Sequence, residues 1–248
     1  MEVYTKVTAT EFDRNVYPPF VDGEVLPLNP VSAIRKGVAK DIEMLAGNND
    51  DEATLWSLWD TQVNTYTEAS LCSRFKYVLV KLGQPKETAE RIFNYYYNNT
   101  SDHSPGGLRK IWETFHTDYR FRIGVLRYLE EQSIHQPVVY AYQFNWKTPE
   151  LGGKLGATHS LEIPFVFGTL GEKPSGIFPQ RTPESDLLSS KMMHAWINFA
   201  RYGNPNHPDI PIWNRYDTVK RATMLFDKET QELYGNLAEL SKLWEGII

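Results

Sequence analysis

Pro137-Val-Val-Tyr-Ala-Tyr-Gln-Phe-Asn-Trp146 is a run of β-branched and aromatic residues, and it is followed by the glycine-rich segment Gly152-Gly-Lys-Leu-Gly156-Ala-Thr-His159. A run of that kind reads as a strand buried at most of its positions, which needs cover on both faces. Upstream, Asp41-Ile-Glu-Met-Leu-Ala-Gly47 is a second short, mostly apolar run that empties into Asn48 and Asn49, with Asp50, Asp51 and Glu52 at its carboxyl end. It reads as a second buried strand ending in a polar turn. Between the two the periodicity is helical: Leu55, Leu58 and Trp59 are spaced by three and four. Phe75, Val78, Leu79 and Leu82 repeat that spacing before Gly83-Gln-Pro85 stops it. The longest helix is read from Leu108 to about Ser133 on Ile111, Phe115, Phe121, Val125 and Leu129. Another is read from Glu184 to Tyr202, with Leu187, Leu188, Met192, Trp196 and Phe199 on one side and Gly203-Asn-Pro205 as its stop. Nearer the start, Val16 to Pro27 carries Asp22-Gly23 between prolines and predicts a β-turn or small hairpin. Strands separated by long helical stretches define an α/β protein.

Composition narrows the function. Of the 248 residues 41% are hydrophobic and 23% charged, the profile of a folded domain. With 26 Lys and Arg against 31 Asp and Glu the formal charge is -5, and no basic block exists to neutralise phosphates, so no nucleic-acid partner is expected. The single cysteine, Cys72, can form neither an intramolecular disulfide nor a thiolate metal site. No stretch reaches the roughly 18 apolar residues of a membrane span, and Met1 is followed by polar residues up to Arg14 rather than a signal-type run. The chain is expected to be soluble and to form one region over residues 1-248, since no linker or repeat marks a boundary. The compartment is not legible.

Two features can carry chemistry: an acidic residue at the mouth of one strand and a histidine on the loop after the next. Open α/β sheets place their sites beyond the carboxyl ends of strands, and an acid that orients an imidazole base is two thirds of a nucleophilic triad. The third member would be a serine on a Gly-x-Ser-x-Gly elbow. No serine of the chain has glycines at both positions; Ser104 has only Gly106, and Ser175 has neither.

Four segments carry a resemblance. Val21-Asp-Gly-Glu-Val-Leu-Pro27, Leu45-Ala-Gly-Asn-Asn-Asp-Asp-Glu52, Gly156-Ala-Thr-His-Ser-Leu-Glu-Ile-Pro-Phe-Val-Phe-Gly168 and Trp196-Ile-Asn-Phe-Ala-Arg-Tyr-Gly-Asn-Pro-Asn206 stand in the order found in type-B carboxylesterases. That family includes para-nitrobenzyl esterases and cholinesterases. From about Pro19 to Phe226 the chain resembles the carboxyl-terminal half of such a protein. The resemblance implies the carboxyl-terminal portion of an α/β-hydrolase fold, part of a mixed sheet with many helices. It also implies a Ser-Glu-His triad that hydrolyses a carboxylic ester through an acyl-enzyme. Glu52 matches the glutamate of the family's Asp-Glu-Gly motif and His159 the histidine of its Gly-Ala-x-His-x-x-Glu-x-Pro-Phe motif. The serine and the oxyanion-hole glycines of the family lie upstream, so this chain by itself is expected to be inactive. Ala53 stands where the family usually has glycine, and would be strained if that position requires φ > 0.

Each residue also has a plainer reading. Glu52 could simply cap a helix, and Asp51 is its rival as triad acid. Glu162 is read as supporting backbone or charge balance. His103, His116, His135, His194 and His207 lack ligand spacing and are read as structural or solvent-facing, with no metal and no cofactor implied. Asn94-Tyr-Tyr-Tyr-Asn98 with Trp112, Phe115 and Tyr119 reads as helix packing in preference to a pocket wall. The sequons at Asn98 and Asn99 carry little weight. The expected partners are a small hydrophobic carboxylic ester and either the amino-terminal half of the same fold or a second copy of the chain, because the two strands offer an open edge. The rival readings are a non-catalytic, neuroligin-type cholinesterase-like binding module and an inert truncated or split-gene fragment. The presence of Glu52 and His159 favours the enzyme.

Overall fold

The computed structural model describes residues 21-172 and 181-248. In chain order it builds α1 (Pro30–Arg35), β1 (Met44–Asn49), α2 (Thr54–Ser57), α3 (Glu68–Lys81), α4 (Lys86–Asn98) and α5 (Pro105–Thr117). A π-turn (Asp118–Arg122) joins α5 to α6 (Ile123–His135), then come β2 (Val139–Phe144), a 3-10 turn (Glu150–Gly153), α7 (Ile163–Phe167) and α8 (Pro183–Tyr202). β3 (Thr223–Phe226), β4 (Gln231–Leu233) and α9 (Ala238–Leu243) complete it. The strands form one mixed sheet in the order β1-β2-β3-β4, parallel across the first three and antiparallel at β4.

Strand β2 explains the layering. Its side chains alternate, so Val139 and Ala141 join the core built by α3 to α6, while Tyr140 and Phe144 join a second core with α7 and α8. The first core centres on Phe75, Phe115 and Trp244, the second on Phe165, Trp213 and Phe226. Helices therefore cover both faces of the parallel part of the sheet. Among the described residues β1 pairs only with β2, which leaves its outer edge open.

Local signals set the helix limits. Thr67 and Thr182 each close a capping box, with Ser70 and Ser185 respectively, and Pro183 supplies the fixed φ favoured at a helix start. Gly203 ends α8 at φ 64°, the left-handed conformation that glycine adopts without a Cβ penalty. The Leu108-to-Ser133 reading proves to be α5, the π-turn and α6 run together. Among the described residues no helix is long and apolar enough to cross a membrane.

Several expectations need correction. The first strand is Met44–Asn49, not 41-47: Ile42 is 61% exposed, and the ladder continues through polar Asn48 and Asn49, which read as a turn. The helical spacing of Leu55, Leu58 and Trp59 yields only the four-residue α2, with Leu58 and Trp59 exposed. Leu187 lies on the exposed side of α8. β3 and β4 were not expected, being too short for a period to register. Asp22 does form the turn, its Oδ1 accepting the amides of Glu24 and Leu26 at 2.9 Å, but residues 21-29 form no hairpin strand, and 16-20 of that reading lie outside the described residues.

Gly47 in mid-strand marks a close approach. A Cβ there would meet the Tyr142 carbonyl oxygen at 2.2 Å and the Tyr142 ring at 2.4 Å. Gly47→Ala should therefore destabilise the chain by about 1–3 kcal/mol, read as a lower urea midpoint at unchanged slope. An unchanged midpoint would show that β1 and β2 are not packed as described.

Candidate active site

The site is built where the turn after β1 meets the loop after β2. Asp51 staples them: its amide donates to the Ala157 carbonyl (3.0 Å), and its Oδ2 accepts the Ala157 amide (3.0 Å). Thr54 Oγ1 donates to the Leu155 carbonyl (2.6 Å) and meets the Thr158 hydroxyl at 2.9 Å. Gly156 at φ 60° is obligatory here, because a Cβ would fall 2.2 Å from Asp51 Oδ2.

That staple brings Glu52 and His159 together across 107 residues of sequence: His159 Nδ1 lies 2.7 Å from Glu52 Oε2. The other carboxylate oxygen, Oε1, accepts the Asn49 amide at 2.8 Å, so both oxygens have a donor. Glu52 is buried, at 6% exposure, whereas the His159 side chain is 38% exposed. With its proton on Nδ1 facing the carboxylate, a neutral imidazole carries its lone pair on Nε2. The rings of Trp56 and Phe121 flank the imidazole at centroid distances of 5.1 and 5.0 Å. Ser160, immediately after the histidine, adopts φ 65°, a left-handed conformation uncommon for a residue with a Cβ and of a kind that clusters at functional sites.

Asp51 takes a different place from Glu52. Its second oxygen accepts from Lys110 Nζ, and it does not contact the imidazole. Burial pushes its carboxyl up, but the Lys110 ammonium, the Ala157 amide and the charge of Lys147 outweigh that and hold it below its ordinary value of 3.8. Glu162 accepts a hydrogen bond from Asn49 Nδ2, and burial pushes its carboxyl up. Ala53, whose position was in question, lies at φ -78°, ordinary helical backbone, so no strain attends the replacement of glycine. Its amide donates to Thr117 Oγ1 at 3.0 Å.

A buried network secures the far side of the turn. Arg122, in the π-turn, donates to the Asp50 carbonyl (2.8 Å) and forms an ion pair with Asp118. Asp118 in turn accepts from Tyr96 (2.7 Å), whose hydroxyl takes the Trp244 indole N–H at 3.1 Å. Tyr96, Trp112 and Phe115 thus pack the helical core, as read from the sequence. Of the other histidines, His116 is buried and pushed down to about 3 by that burial, His103 stacks on Tyr97, and His135 bonds the Arg35 carbonyl. Nothing in the sequence singles out Trp56, and Phe121 reads only as a core position. Their adjacency to His159 depends on the π-turn and the short α2, which no spacing rule announces.

A mixed sheet covered by helices on both faces, with an acid and an imidazole joined beyond the carboxyl ends of two parallel strands, defines the α/β-hydrolase class. The model of the Carboxylesterase family matches residues 2–242. The para-nitrobenzyl esterase of Bacillus subtilis (strain 168) is 31% identical over 215 residues, 86% of this chain and 40% of that protein. Human cocaine esterase is 30% identical over 229 residues, 89% of this chain and 38% of that one. Among solved structures, a carboxylesterase of Geobacillus stearothermophilus superposes with a TM-score of 0.75 at 30% identity, covering 92% of this chain and 46% of the other. The chain belongs to the carboxylesterase family, and it spans less than half the length of these relatives.

Because the carboxyl of Asp51 lies lower in the folded chain than in the unfolded one, its contribution to stability is complete above about pH 4 and fades as pH falls through the folded value. Urea unfolding followed from about pH 5 to about pH 3 should show a steeper acid loss in the native chain than in Asp51→Asn, which starts less stable. Parallel acid limbs would remove Asp51 from its role as the charged staple.

Proposed function

We propose that Glu52 and His159 are the acid and base of a Ser-Glu-His triad that hydrolyses a carboxylic ester. The observation that carries this reading is the 2.7 Å contact between His159 Nδ1 and Glu52 Oε2. The nucleophile and the oxyanion donors come from residues outside these 248, because no serine here stands on a Gly-x-Ser-x-Gly elbow. His159 Nε2 takes the serine proton as the hydroxyl attacks the ester carbonyl, then delivers it to the leaving alcohol as the tetrahedral adduct collapses to the acyl-enzyme. Water repeats the sequence in the second half-reaction and releases the acid. Glu52 holds the Nδ1–H tautomer and offsets the positive charge of the imidazolium.

The substrate class is a small hydrophobic carboxylic ester. Trp56 and Phe121 support this by giving the imidazole an apolar surround, and relatives that bear the names para-nitrobenzyl esterase and cocaine esterase are consistent with it. The open outer edge of β1 is the place for the amino-terminal half of the fold to continue the parallel sheet, the whole of 1-248 then acting as one region of a larger domain. Without that half, the same edge favours self-association. No metal or cofactor enters the reaction as written.

Two outcomes test this reading. Purified chain alone should give no turnover of para-nitrophenyl acetate above background, since base and acid without nucleophile and oxyanion donors lose most of the rate enhancement. Turnover by the chain alone that His159→Ala abolishes would sink the need for a second segment. When an amino-terminal half bearing the serine is supplied, His159→Ala should lower kcat about 10⁴-fold or more and Glu52→Gln by less. Asp51→Asn should act mainly on the urea midpoint. A greater loss of kcat from Asp51→Asn than from Glu52→Gln would reverse the choice of acid.

A further inference from the structure

A second group of ionisable side chains gathers away from Glu52 and His159, on residues the triad does not use. The segment after α8 turns at Gly203 and returns His207 and Asp209 to His194, which lies on α8 itself. One ligand-type atom from each of the three falls within 4.8 Å of the others. Asp209 Oδ2 lies 3.7 Å from His207 Nδ1 and 4.0 Å from His194 Nδ1, and the two imidazole centroids are 5.5 Å apart.

We propose that His194, His207 and Asp209 form a binding site for zinc(II), with two imidazole nitrogens and one carboxylate oxygen as protein ligands. His207 is the fixed member. Its side chain is only 5% exposed, and Nε2 lies 2.9 Å from the Lys191 carbonyl, an acceptor that requires a proton on Nε2 and leaves the lone pair on Nδ1, toward Asp209. A backbone carbonyl that engages the remote ring nitrogen is the outer-shell partner that metal-bound histidines use to fix tautomer and orientation. The Asp209 amide approaches the same lone pair at 3.3 Å, the long end of hydrogen bonding, and the ion displaces it.

The backbone around His207 is pinned before any ion arrives. Asn206 Oδ1 accepts the Trp213 amide (2.7 Å), its Nδ2 donates to the Trp213 carbonyl (2.9 Å), and Asn198 Nδ2 donates to the Asn206 carbonyl (3.0 Å). His194 and Asp209 are free to adjust, their side chains being 54% and 64% exposed. Zinc bonds of about 2.0–2.2 Å in a tetrahedron put ligand atoms roughly 3.3 Å apart. The carboxylate oxygen already lies 3.7 and 4.0 Å from the two imidazole nitrogens, and the side chains that must move to close the set are the two exposed ones. Two imidazoles and one carboxylate suit zinc, whereas magnesium and calcium prefer all-oxygen sets. The bound ion cross-links α8 to the loop that follows it, which stabilises the folded chain by mass action.

Titrate the chelator-treated 248-residue chain with zinc chloride by calorimetry, and with cobalt(II) chloride by visible absorption. One equivalent of zinc should bind at about pH 7.5, and magnesium should not compete. Zinc should also raise the unfolding temperature, reversibly on addition of chelator. His194→Ala and Asp209→Asn, both at exposed positions where folding is not at risk, should each weaken zinc about tenfold or more and remove the cobalt d–d bands. Absence of saturable zinc binding, or zinc affinity unchanged in the His194→Ala/Asp209→Asn double variant, would overturn the site.

Discussion

The structure turns on the paired hydrogen bonds between Asp51 and Ala157, one through the Asp51 amide and one through its carboxylate. They join two connections that would otherwise be independent surface loops, and they do so immediately next to Glu52 and His159. A loop acquires the precision that a hydrogen-bonded pair of side chains needs only when its backbone is tied to something rigid. Here that rigid body is the β1-β2 pair, whose ladder runs to Asn49 and Phe144 and is extended by the Asp50 amide donating to the Phe144 carbonyl at 2.9 Å. Gly156 is the counterpart of the staple: a side chain at that position would occupy the space of the carboxylate.

The buried charges follow from the same requirement. Asp50, Asp51 and Glu52 crowd three acids into one turn, and each is directed to a different partner. Asp50 meets Arg122, Asp51 meets Lys110 and Glu52 meets His159. Arg122 belongs to the π-turn, where the extra residue per turn redirects side chains relative to a continuous α-helix. The arginine thereby reaches the Asp50 carbonyl while keeping Asp118, four residues earlier, as its ion partner. Removing Arg122 would leave buried Asp118 without its counter-charge and the Asp50 carbonyl without its donor, a loss of about 3–5 kcal/mol, so Arg122 ties the π-turn to the acidic turn.

How much of this was legible beforehand depended on the length of each pattern. Strand β2 and helix α8 announce themselves, one through an unbroken β-branched and aromatic run and the other through a periodic face closed by Gly203-Asn-Pro205. The acid and the histidine were found from the motifs around them, since nothing in an isolated Asp-Asp-Glu or a loop histidine distinguishes chemistry from capping. What escaped was decided by tertiary contacts. Asn48 and Asn49 look like a turn in sequence but extend the β1-β2 pairing, Asn48 opposite Gln143 and Asn49 opposite Phe144. β3 has four residues, too few for alternation to register, and all four are buried. Trp56 and Phe121 reach His159 from elements whose geometry no heptad or alternation encodes. His194, His207 and Asp209 meet only because Gly203 reverses the chain, so spacing rules that seek His-x-x-x-His pass over them.

Asn49 shows how little separates the fold from the chemistry in this chain. It is the last residue of β1, and its amide, free of the ladder there, donates to Glu52 Oε1 at 2.8 Å. Its side-chain amide donates to the Thr158 carbonyl at 2.7 Å and to Glu162, fixing the loop on both sides of His159. One residue therefore holds the carboxylate through its backbone amide and the loop that carries His159 through its side chain. An apolar residue at that position would keep the strand but release the loop, and an aspartate would set a third carboxylate against Glu52 and Glu162 in a buried space where like charges repel strongly. Asparagine holds the loop because its side chain donates without carrying charge, while its backbone amide holds the acid, and so the strand's polar end is itself part of the candidate site.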